Sequence, residues 1–116
     1  MRRTLVTGLG FFVFALIASA GIAQAQDAAA VKKGQEVYTA QKCSVCHAIA
    51  GKGGKANPLD GVGAKLSADD IRAWIVTPVE AAAKAKSTKK PPMPAKYGKL
   101  PAADIDAMVA YMLSLK

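Results

Sequence analysis

Cys43-Ser44-Val45-Cys46-His47 contains both cysteines and the single histidine of a 116-residue chain. Two thiols three positions apart can bond the two vinyl groups of a protoporphyrin, and an imidazole directly after the second can offer its iron an axial nitrogen. The stretch therefore reads as a c-type haem attachment site, with Cys43 and Cys46 as the covalent thioether positions and His47 as an iron ligand. The other chemistries of these residue types need partners that the chain does not have. A structural zinc site takes four Cys or His ligands, and an iron–sulfur cluster normally takes four thiolates. A redox dithiol would open a helix inside a βαβ unit, whereas this motif follows a helical pattern in a chain without strand-rich stretches. A plain Cys43–Cys46 disulfide stays open as an alternative, although so short a loop gains little from crosslinking and His47 is left without a role.

A second ligand is offered by Pro91-Pro92-Met93-Pro94. Three prolines fix φ and remove backbone donors, so the methionine is presented from a stiff extended loop. A thioether is a soft donor that pairs with histidine on haem iron and raises the reduction potential. Met93 is the expected second axial ligand. Its rivals Met108 and Met112 fall with Ile105, Val109 and Tyr111 on a final helix, where they read as core. A ligating histidine also needs its other ring nitrogen held by an acceptor, commonly a backbone carbonyl. In the turn-rich segment Asn57 to Gly63, Pro58 is the candidate for that carbonyl, and an ordinary loop proline fits the spacing equally well. Trp74, the only tryptophan, reads first as a core residue; its indole N–H could also serve a haem propionate.

These residues must be positioned by helices. Asp27 can cap a helix from about Ala28 to Lys42 that delivers the chain into the motif. Along it Val31, Gly34, Val37, Tyr38 and Gln41 share one face, with Gly34 allowing close approach. Gly51-Lys52-Gly53-Gly54 lacks the tail of a phosphate loop and reads as a turn. Ser67 caps a helix whose first turn carries Asp69 and Asp70, and Pro78 ends it. A short helix is expected over residues 79–86. The last begins near Pro101 and buries one face against the first.

Residues 1–25 read as a cleaved signal peptide: basic Arg2-Arg3, an apolar run from Leu5 to Ile22, then Ala23-Gln24-Ala25. An uncleaved membrane anchor is the alternative, since the run approaches bilayer-spanning length. Residues 26–116 are enough for one domain. Losing Arg2 and Arg3 takes the 16 basic residues to 14 against 8 acidic ones, a net charge of about +6. Lys84, Lys86, Lys89, Lys90, Lys96 and Lys99 crowd one acid-free stretch. That run is either a solvated face or a docking surface for an acidic partner. Nucleic acid does not fit an exported chain with no binding motif.

With these residues in place, the mature region resembles a class I cytochrome c of the small bacterial monohaem type. The resemblance rests on Gly34 and Tyr38, the Cys43 to His47 motif, Asn57-Pro58-Leu59, Leu66 to Trp74, Pro92-Met93-Pro94 and Val109-Ala110-Tyr111-Met112. It implies an all-α cytochrome c fold, three to five helices wrapped around one covalent haem c with first and last helices crossing. It also implies His47 and Met93 on opposite faces of the iron and Pro58 behind His47. The function so implied is that of a monomeric periplasmic one-electron carrier, not an enzyme, exchanging electrons with redox proteins. A dedicated subunit of a periplasmic oxidoreductase, and a haem gas sensor or peroxidase with displaceable Met93, are the alternatives. Intact-mass measurement of the exported protein should find a chain starting within a residue or two of Gln26 and carrying one haem; a chain retaining residues 1–25 would establish the anchor.

Overall fold

The computed structural model describes residues 17–116, with side chains from Asp27 onward. Five α-helices lie among them: α1 (Ile17–Ala40), α2 (Val62–Lys65), α3 (Ala68–Val76), α4 (Pro78–Lys84) and α5 (Ala102–Ser114). Two 3₁₀ turns, Cys43–Val45 and Ala95–Lys99, complete the helical part. The expected leader lies mostly outside the described residues. No helix among the described residues is long and apolar enough to cross a membrane.

Asp27 does not start α1 but sits exposed within it. The preceding residues are mostly Ala, Ile and Gln, with no proline, and carry the helix back to Ile17. The cap at Ser67 forms as its sequence dictates: Asp70 N–H donates to Ser67 Oγ at 3.1 Å, leaving Asp69 and Asp70 in the first turn of α3. Pro78 then occupies the first turn of α4, where its missing N–H costs nothing.

The core is the packing of α1 on α5. Val37 and Tyr38 meet Ile105, Met108, Val109, Tyr111 and Met112, all buried, with Ile71 and Ile75 from α3 closing the cluster. Met108 and Met112 are therefore core residues. Each such side chain contributes about 1.5–3 kcal/mol by leaving water. The Tyr38 and Tyr111 rings meet edge to face at 5.8 Å, a geometry that adds about 0.5–1.5 kcal/mol.

A small three-stranded sheet departs from the purely helical expectation: β1 (His47–Ile49) lies between β2 (Lys52–Gly53) and β3 (Asn57–Pro58). β2 pairs antiparallel and β3 parallel to β1. Strands of two or three residues carry no readable alternation, and the turn between β1 and β2 depends on Ala50 and Gly51 at positive φ.

Gly34 decides how closely α1 and α5 approach. A Cβ there would run into the Ala107 carbonyl and lie 2.6 Å from Tyr111 Cβ. Exchanging glycine for alanine inside an exposed helix stabilises by about 1 kcal/mol, whereas overpacking costs about 1–3 kcal/mol. Here overpacking outweighs propensity. Gly34→Ala should lower the denaturation midpoint, and Gly34→Val should lower it further, with an unchanged slope; a midpoint equal to or above wild type would refute the close crossing.

Candidate haem-binding site

The end of α1 is set by Lys42, whose left-handed backbone (φ 56°) turns the chain into the 3₁₀ turn that begins at Cys43. The turn closes through the Cys46 N–H donating to the Cys43 carbonyl at 3.2 Å. Cys43 is thereby buried and Cys46 exposed, and no disulfide joins them. Burial pushes the Cys43 thiol up in pKa. His47 follows directly as the first residue of β1 and is half-buried.

His47 is held at both ends. Its backbone carbonyl accepts from the Tyr38 hydroxyl at 3.2 Å, which ties the motif to the α1–α5 core. Its Nδ1 lies 3.0 Å from the carbonyl of Asn57. A carbonyl only accepts, so Nδ1 carries the proton and the lone pair sits on Nε2. The acceptor is thus Asn57 rather than Pro58, the candidate that the resemblance implied. The parallel register pairs His47 with Asn57 and Ala48 with Pro58, which puts Asn57 opposite the imidazole. Pro58 is exposed, and the chain beyond it is anchored instead by Leu59 N–H donating to the Ala48 carbonyl at 2.8 Å.

The glycine segment does more than turn. Gly53 adopts φ +112°, and a Cβ on it would meet the His47 carbonyl and lie 2.8 Å from that of Ser44. β2 therefore packs flat on the backbone of the motif. Sequence reasoning missed this role and that of Asn57, because neither acts through its side chain.

Met93 is half-buried on the segment between α4 and the second 3₁₀ turn. Trp74 is partly exposed and stands outside the α1–α5 core, lining a groove with Leu66, Asp70, Ala81 and Lys84. Trp74, read from the sequence as a core residue, is not part of the buried cluster; α3 turns Ile71 and Ile75 inward instead. Asp70, held below the ordinary carboxylate pKa by the Ser67 hydroxyl and then by Lys84, pairs with Lys84 at 3.1 Å. One lysine of the acid-free stretch is thus matched by an acid from α3.

Two thiols placed by one turn, beside an imidazole that is oriented through Nδ1 with Nε2 left available, form a donor set that fits covalent haem. The model of the Cytochrome c family matches residues 31–116. The chain belongs to the cytochrome c family. Members of this family bind haem c covalently and use it for electron transfer, and the helical fold found here is the cytochrome c fold. Comparison with curated proteins returned no match, and neither did comparison with solved structures.

In this cytochrome c, Tyr38 ties motif to core, and its ionisation exposes that tie. Burial, above all, pushes its pKa up from 10.0 to about 12. The folded protein keeps the phenol proton where the unfolded chain has lost it, so this contribution is complete below pH 10 and is lost as pH rises through 12. Tyr38→Phe should cost about 1 kcal/mol near neutrality through the lost hydrogen bond. The deficit should shrink between pH 10 and 12 in denaturant unfolding of the reduced protein; a deficit independent of pH would contradict the assignment.

Proposed function

We propose that this cytochrome c is a periplasmic one-electron carrier whose iron is ligated by His47 and Met93. Cys43 and Cys46 would carry the two thioether bonds, His47 Nε2 one axial position and the Met93 sulfur the other. Bound haem c supplies a one-electron iron couple. The observation that carries the reading is the His47 Nδ1 hydrogen bond to Asn57. It fixes the tautomer, orients the ring and raises the basicity of Nε2, the usual support of a ligating histidine.

Met93 is supported by the chemistry of its setting. A thioether on a proline-bound loop is a neutral, soft donor whose position varies little. Held by His47 and Met93, the iron would have no open position for a substrate or gas. Neither ligand changes charge with oxidation state, which would suit electron transfer rather than oxygen or peroxide chemistry.

Partner contact is assigned to the lysine-rich region, where Lys86, Lys90 and Lys99 are exposed. Positive charge of this kind speeds encounter with an acidic redox partner and loses its effect as salt rises. The leader expected at residues 1–25 supports export, its cleavage leaving residues 26–116 as the working domain.

Met93→Ala should retain the covalent haem mass, lower the reduction potential and allow the reduced protein to bind carbon monoxide, which the wild type should bind poorly. An unchanged potential in Met93→Ala would sink the ligand assignment. Tight carbon monoxide binding by the wild type would turn the reading toward gas sensing.

A further inference from the structure

The segment that presents Met93 has little to hold it. Residues 88–93 form no helix or strand, and Pro91 and Pro92 have no amide hydrogen to donate. Among the described residues, the hydrogen bonds that leave this segment both start from Lys89. Its backbone N–H donates locally to Ser87 Oγ at 3.3 Å. Its ammonium Nζ reaches across the fold to the carbonyl of Ala56 at 3.0 Å.

Ala56 stands immediately before Asn57, whose carbonyl holds the His47 ring. A charged donor on a carbonyl makes a stronger bond than a neutral one, and this bond joins positions 33 residues apart in sequence. Other lysines of the region are engaged elsewhere: Lys84 with Asp70, and Lys96 over the Tyr97 ring at 5.2 Å.

We infer that Lys89 is a positioning residue, whose ammonium clasps the Met93 loop to the segment that carries the support of His47. The inference rests on the reading of Met93 as an iron ligand. Through the clasp, the loop bearing one ligand is tied to the residue just before the strand that orients the other, and loss of the Lys89–Ala56 bond frees that loop to move.

The test compares the haem-loaded wild type with Lys89→Met and with Lys90→Met, which removes the same charge one residue away. Two quantities are read: amide hydrogen exchange of peptides covering residues 55–60 and 86–90, and the rate at which added imidazole replaces Met93 in the oxidised protein. Lys89→Met should raise both about two- to tenfold, the range open to a hydrogen bond of ordinary net strength, while Lys90→Met stays at wild-type values. Lys89→Met indistinguishable from wild type, or Lys90→Met matching Lys89→Met, overturns the clasp. Faster hydrogen exchange with unchanged imidazole entry shows a merely structural contact and overturns the positioning role. Met93→Ala equal to wild type in imidazole entry would instead remove the ligand reading on which the inference rests.

Discussion

The hydrogen bond from the His47 ring to the Asn57 carbonyl is the contact through which the separate parts of this fold act on one side chain. A free imidazole rotates about its side-chain bonds and exchanges tautomers; this one does neither while the bond lasts. The bond exists because a two-residue strand pairs parallel to β1, and β1 starts where it does because the 3₁₀ turn from Cys43 ends at Val45. The Tyr38 hydroxyl, from the helix that forms half of the core, fixes the same residue from behind. A side chain held by core, strand and turn together keeps one ring orientation and one tautomer.

The core supplies stability and the loops supply the chemistry. Helices α1 and α5 pack most of the buried apolar residues and approach closely through Gly34. Of the residues proposed to hold haem, Cys43 joins that buried cluster, while Cys46, His47 and Met93 stand outside it, on the turn after α1, at the start of β1 and on the proline-rich segment before α5. Such a division suits a small domain whose own core is limited, because a group bound to the folded state alone adds stabilisation. Surface ion pairs such as Lys33 with Asp104 at 3.6 Å contribute little beside this.

What could be read from sequence was whatever is carried by side-chain type. Ser67 announces its helix because its hydroxyl caps, and Met108 and Met112 announce their burial because they share spacing with Ile105 and Val109. The family is legible for the same reason: two thiols and an imidazole have few other uses at that spacing. Features carried by the backbone were not legible. Choosing Pro58 over Asn57 missed by one residue, since a carbonyl belongs to every residue and only the strand register decides which one faces the ring. The strands themselves are too short to show a pattern, and Gly53 reads as a turn until the carbonyls beside it are seen. Asp27 looked like a cap because its chemistry suits one, but a cap acts only where a helix begins, and the alanine-rich residues before it keep this one going.

The central claim is that His47 and Met93 together close the iron to everything but electrons. The most direct measurement is the near-infrared absorption of the oxidised, haem-loaded protein, where methionine sulfur bound to ferric haem gives a weak charge-transfer band. The account predicts that the band is present near neutral pH and absent from Met93→Ala. A wild-type spectrum without it, or a band that survives the substitution, would contradict the claim.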